Sequence, residues 1–140
     1  MNTITLAPAV LIVLPAAFLP SCGAPPPAIK AESSVPILKA IGKNQGQIEM
    51  VLANGTHEGW SFQGYGAVLP LYSQEVRDDG GWKPGMLGWC GTGLGEHVLE
   101  PGSSISFFVT PAAQETRIIV TLTASDGSQR VVRSPSISAH

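Results

Sequence analysis

The chain has 140 residues, of which 44% are apolar, 13% charged and 6% aromatic, with 16 Gly, 12 Pro, two Cys and a net charge of −2. That length fits one domain and excludes a pair of βαβ nucleotide-binding halves or a TIM barrel. The weakly acidic balance offers no basic footprint for nucleic acid, the apolar fraction is too high for general disorder, and the Gly and Pro content favours short strands and turns over long helices.

Residues 1–29 carry no Asp, Glu, Lys or Arg, and all eight basic and all ten acidic side chains lie at or beyond Lys30. An apolar run fills residues 4–19, interrupted by Thr5, Pro8 and Pro15. It falls short of the roughly 20 residues that cross a bilayer as a helix, and its prolines weaken a helix further. Its length is that of a secretory signal-peptide core.

Leu19-Pro20-Ser21-Cys22 follows at once and resembles a bacterial lipobox, with Leu three residues before a Cys and a small residue just ahead of it. The resemblance implies cleavage before Cys22, loss of the signal peptide 1–21 and a thioether link from Cys22 to diacylglycerol. Two or three acyl chains, palmitate among them, would then hold the new N-terminus in a membrane. Gly23, next to the Cys, implies the outer membrane in a Gram-negative host. Met1-Asn2-Thr3-Ile4-Thr5 lacks the usual Lys or Arg, and Pro20 stands where Ala, Ser or Val is commoner. Cleavage after Ala24, or retention as an uncleaved anchor, is the alternative processing.

Residues 22–34 read as a Pro-rich tether, because Pro25-Pro26-Pro27 favours extended polyproline II without internal hydrogen bonds. At roughly 3.1 Å per residue it would reach some 30–40 Å.

Residues 35–137 read as the folded domain, long enough to bury a core without a disulfide. Residues 47–52 alternate, with Ile48, Met50 and Leu52 on one face. Residues 104–109 put Ile105, Phe107 and Val109 inward and Ser104 and Ser106 outward. Residues 117–123 put Ile118, Val120 and Leu122 on one face and Ile119, Thr121 and Thr123 on the other. This period of two, with many β-branched residues, predicts strands.

Turns are predicted at Asn54-Gly55, Asp78-Asp79-Gly80-Gly81, Pro101-Gly102 and Asp126-Gly127. Pro36, Pro70 and Pro135 mark strand ends or edges. The one helix-like start, Thr110-Pro111-Ala112-Ala113-Gln114-Glu115, predicts a single turn. The expectation is an all-β, antiparallel, immunoglobulin-like β-sandwich of seven or eight short strands, with a small barrel as the alternative.

Two segments, Val76-Arg77-Asp78-Asp79-Gly80-Gly81-Trp82 and Leu99-Glu100-Pro101-Gly102-Ser103-Ser104-Ile105-Ser106-Phe107, resemble strand–turn segments of immunoglobulin-like bacterial domains, the intracellular proteinase-inhibitor type among them. The likeness covers roughly 30 residues and implies fold more than activity.

If Cys22 is lipidated, Cys90 has no partner within the chain. It then reads as a small buried side chain, an intermolecular bridge or a reactive thiol. Catalysis would need a base such as His57 or His97 within hydrogen-bond reach. His57-Glu58, Cys90 and Glu96-His97 match no zinc spacing. Gly91-Thr92-Gly93-Leu94-Gly95 lacks the Lys-Ser/Thr of a phosphate loop and is followed by Glu96, so it reads as a structural loop. Asn54-Gly55-Thr56 fits the glycosylation pattern and reads here as a turn.

Trp60, Phe62, Tyr65, Tyr72, Trp82 and Trp89 crowd residues 60–89. Flat aromatic faces beside flexible loops stack on sugars or grip partners, which makes Trp60, Tyr65, Tyr72, Trp82 and Trp89 candidate partner-binding residues. The competing reading places one or two Trp in a sandwich core. With the lipobox resemblance, the expectation is a lipid-anchored module of the bacterial cell envelope with a binding, accessory or structural role, no catalysis and no cofactor. Its expected partners are the membrane, through Cys22, and an envelope protein or glycan. A protease-inhibitor-like domain and a Cys90-dependent enzyme are the alternatives.

Overall fold

The computed structural model describes residues 34–85 and 92–138. The segments read above as a signal peptide, a lipobox with Cys22 and a tether, up to residue 33, lie outside these, as do Trp89 and Cys90. Among the described residues there is no helix.

Nine antiparallel strands form the domain: β1 (Ile37–Asn44), β2 (Gln47–Ala53), β3 (Trp60–Gly64), β4 (Tyr72–Asp78), β5 (Gly81–Pro84), β6 (Gly95–Leu99), β7 (Ser104–Val109), β8 (Thr116–Thr123) and β9 (Gln129–Arg133). They pair as two sheets, β1-β2-β7 and β5-β4-β8-β3-β6, with β9 on the other edge of β8. The all-β sandwich expected from the alternation is the observed architecture. Strands exceed the expected seven or eight because β1 and the short β5 have little apolar periodicity to reveal them.

The alternation supplies both inner faces. Ile48, Met50 and Leu52 of β2 and Phe107 and Val109 of β7 line one side of the core. Trp60, Phe62, Leu99, Ile118, Val120, Leu122 and Val132 line the other. Each fully buried side chain of this size contributes about 1.5–3 kcal/mol in transfer free energy. Tyr72 and Phe107 bring one ring from each sheet together, with centroids 5.9 Å apart.

The predicted turns at residues 78–81, 101–102 and 126–127 all join strands, with Gly81, Gly102 and Gly127 at positive φ. A further tight turn joins β1 to β2, where Gln45 (φ 49°) and Gly46 (φ 80°) both take the left-handed conformation of a type I′ hairpin.

The helical turn expected over residues 110–115 is absent. The Gln74 amide donates to the Thr110 carbonyl (2.9 Å) and accepts from the Ala112 N–H (3.2 Å), while the Glu115 carbonyl accepts from the Arg77 N–H (2.8 Å). Backbone groups that a helical turn would need are tied to β4 instead.

The arrangement that positions a site is around β8. Strand β9 pairs with one edge of β8 from Ile119 to Thr123, and β4 pairs with the other from Thr116 to Val120. Strand β3 joins β8 at Ser61↔Thr123, beyond the end of β4. The chain between β3 and β4 doubles back at the Gly64↔Pro70 bridge. Both arms of that hairpin run antiparallel to β8, which two arms antiparallel to each other cannot do in a flat sheet. The sheet therefore forks, with one arm on Thr123, the other on Val120, and the two rejoining at Gly64 and Pro70.

Candidate functional site

The fork leaves a cleft of ≈ 340 Å³ on the outer face of the larger sheet. Register places its lining. Ser61 pairs with Thr123 and Thr123 with Gln129, Gln63 pairs with Glu96, and Ser73 pairs with Ile119. Paired residues share a face, so these side chains converge on one opening. The hydroxyls of Ser61, Ser73, Thr121 and Thr123 and the amides of Gln63 and Gln129 make its polar lining. Ile119, only 9% exposed, forms an apolar floor, with the buried Phe62 and half-buried Tyr72 beneath it. Burial of Tyr72 raises its phenol above the usual tyrosine pKa.

The apex is held by short backbone contacts: the Leu71 N–H donates to the Gln63 carbonyl (2.7 Å) and the Tyr65 N–H to the Leu69 carbonyl (3.0 Å). Gly64 is required here. A Cβ on it would lie 2.6 Å from the Leu69 carbonyl oxygen.

The same outer face carries a charged ledge further along β4 and β8. Glu75 pairs with Arg117 across the strands and accepts from its Nε, and Arg133 Nε lies 3.6 Å from the same carboxylate oxygen. The Arg117 guanidinium stacks 4.4 Å from the centre of the Trp82 ring.

A second, more polar hollow of ≈ 360 Å³ lies where the β2–β3 connection meets the β8–β9 turn, and His57, Glu58, Asp126 and Arg130 line it. Asp126 is engaged there by the Ser128 N–H (2.8 Å), and its carboxyl is held below the usual range by hydrogen bonds from Ser128. Among the described residues, no three His, Cys, Asp or Glu side chains are grouped to hold a metal ion.

The candidate aromatics do not share one surface. Trp60 is 5% exposed and faces the core, its indole N–H donating to Thr56 Oγ1 at 3.1 Å. Its place in the partner-binding set is corrected, because a ring buried in the sandwich offers no stacking face. Tyr72 is half-buried against the core and reaches the cleft from below. Tyr65 lies in the turn at the fork, and Trp82 is half-buried on the charged ledge. Trp89 and Cys90 fall outside the described residues. His97 packs its ring 5.7 Å from Phe62, while His57 sits in the second hollow.

The cleft itself escaped the sequence reading. Ser61, Gln63, Ser73 and Gln129 look like ordinary solvent-facing strand positions until the fork brings them together. Comparison with known proteins returned no matching family model, no matching curated protein and no matching solved structure.

Proposed function

We propose that this chain is a lipid-anchored module of a bacterial cell envelope that binds a partner and performs no catalysis. The observation that carries the reading is the order of its segments: a charge-free apolar leader, Leu19-Pro20-Ser21-Cys22, a Pro-rich stretch and then the sandwich. Lipid on Cys22 would fix the domain to the membrane, and the tether would hold it clear of the headgroups. In a Gram-negative host Gly23 favours the outer membrane. The finer, immunoglobulin-like reading of the sandwich is supported by its strand order. The first two strands share a sheet with β7, and the terminal β8–β9 hairpin lies in the other.

Detergent-phase partition with intact mass tests the anchor, using the full chain expressed in a bacterium beside Cys22→Ser. The expected wild type enters the detergent phase with lipid mass on a chain starting at Cys22, and Cys22→Ser stays aqueous. Identical partition and no lipid mass would refute the reading.

A further inference from the structure

We infer that the forked cleft is a binding site for an uncharged acetamido sugar, one or two rings long. The inference deepens the binding-module reading and rests on it.

Three features of the cleft select this chemistry. The first is size: ≈ 340 Å³ lies at the lower end of small-molecule pockets, suited to one or two sugar rings. The second is charge. The lining contains no Lys, Arg or His, and its one carboxylate is Glu96, exposed on the edge strand. The nearest cation by register, Arg133 opposite Ile119, lies against Glu75, and a cationic ligand would find only a solvent-screened carboxylate. The third is the kind of polar group. Hydroxyls and primary amides each donate and accept, as the hydroxyls and acetamide of such a sugar do. The Ile119 floor and the half-buried Tyr72 match the C–H face of a ring and an acetyl methyl.

The polar lining is also uncommitted. Among the described residues, the side-chain amides of Gln63 and Gln129 have no hydrogen-bond partner. Gln74, on the neighbouring strand, uses its amide to fasten Thr110 and Ala112. Two exposed amides thus border one opening, in a sheet held open by its own topology, and both are available to a ligand.

Ligand-observed saturation-transfer NMR tests this on the full chain expressed in a bacterium, held in a detergent without a sugar headgroup. The probes are N-acetylglucosamine and its β-1,4 dimer, with glucosamine and glucuronate as charged controls. Both acetamido sugars are expected to receive saturation. Thr121→Phe, which fills the cleft from an exposed position, is expected to weaken them roughly tenfold or more. The Gln63→Ala/Gln129→Ala pair removes the amides without adding bulk and is expected to do the same. Circular dichroism confirms that each variant folds, and the amide pair carries the test if Thr121→Phe does not.

No saturation of either acetamido sugar at millimolar concentration would overturn the inference. So would binding indifferent to the amide pair, or preference for glucosamine. Sedimentation with purified bacterial cell-wall sacculi separates two sources of the same chemistry: cosedimentation relieved by the dimer assigns a polymer, and its absence alongside dimer binding assigns a free saccharide. Failure of the sugars with successful detergent partition would remove the ligand class and leave the anchored module standing. Failure of the partition would remove the anchor whatever the sugars do.

Discussion

Asn54 reaches across 45 positions of sequence to donate from Nδ2 to the carbonyl of Leu99 at 2.9 Å. The same nitrogen donates to the Glu58 carbonyl at 2.7 Å, and Oδ1 accepts from the N–H and hydroxyl of Thr56 at 3.0 and 2.7 Å. Its main chain adds two bonds, to the Ser103 carbonyl and from the Gly102 N–H, both at 2.8 Å. One side chain thus joins the β2–β3 connection, which crosses between the sheets, to the β6–β7 turn, which crosses back. Because Asn54 is fully buried and its nitrogen occupied, Asn54-Gly55-Thr56 is a structural turn in the folded domain.

Asn54→Ala leaves the Leu99 carbonyl and the Thr56 N–H without their side-chain partner. Each unsatisfied buried group costs about 1–3 kcal/mol, so the substitution is expected to destabilise by roughly 3 kcal/mol. Asn54→Asp is expected to be worse, since it points an oxygen at two carbonyls. Urea unfolding reads this as a lower midpoint at unchanged slope. A change in stability below about 1 kcal/mol would show that the bond to Leu99 matters little. Thr56→Ser, which keeps the hydroxyl that serves both Asn54 and Trp60, is expected to be mild.

Gly64→Ala tests the fork. The new Cβ would press on the Leu69 carbonyl oxygen at 2.6 Å and on the Phe62 ring at 3.1 Å, so the apex must open. Overpacking of this kind costs about 1–3 kcal/mol. The expected signature is faster amide hydrogen exchange at Tyr65 and Leu71, whose N–H groups close the apex, with the β1–β2–β7 sheet unchanged. Unaltered exchange at those two amides would show that the apex absorbs a methyl group.

Some of this was readable in the sequence and some was not, for physical reasons. Strands β2, β7 and β8 each have one face in the core, so a period of two is imprinted on them. Strand β1 is an edge strand with only Leu38 buried and a bulge between Ala40 and Gly42, and it leaves no such imprint. Asn54-Gly55 signalled a turn correctly, but the reach to Leu99 depends on how the sheets stack. The crowd of aromatics over residues 60–89 left open a binding surface or one or two Trp in the core, and strand alternation sends Trp60 and Phe62 inward and Trp82 outward. The cleft arises from the pairing of β3 and β4 with one strand, and pairing is a long-range property.

Two turn carboxylates add a small acid-dependent contribution to stability. The Lys83 ammonium, 2.5 Å away, and the Gly80 N–H hold Asp78 below the usual aspartate value of 3.8. Hydrogen bonds from Ser128 do the same for Asp126. A pKa depressed in the folded state stabilises above the unfolded value, and that contribution is lost as pH falls through the folded pKa. Stability is therefore expected to fall below about pH 4, with only a small change between neutrality and pH 5. Both groups are exposed, so the effect is small. Asp78→Asn/Asp126→Asn is expected to flatten the acid limb of a melting-temperature profile, and an unchanged limb would assign it to other groups.

The ledge on β4, β5 and β8 couples an aromatic ring to an ion pair, and the coupling is measurable. Arg117 is held between the Trp82 face at 4.4 Å and the Glu75 carboxylate, with Arg133 sharing that carboxylate. The Glu75 side chain is 18% exposed and that of Arg117 24%, so salt screens the pair less than a surface bridge. Stacking on a partly desolvated guanidinium is worth about 0.5–2 kcal/mol, and Lys lacks the flat group that does it. A double-mutant cycle of Trp82→Leu with Arg117→Lys is expected to give a coupling of about 1 kcal/mol that survives molar salt. Glu75→Gln removes the charge between two guanidiniums and is expected to destabilise more than either single change, because Arg117 and Arg133 then repel without a counter-ion. A coupling near zero would mean that Trp82 covers the sheet as an apolar lid, indifferent to the cation beneath it.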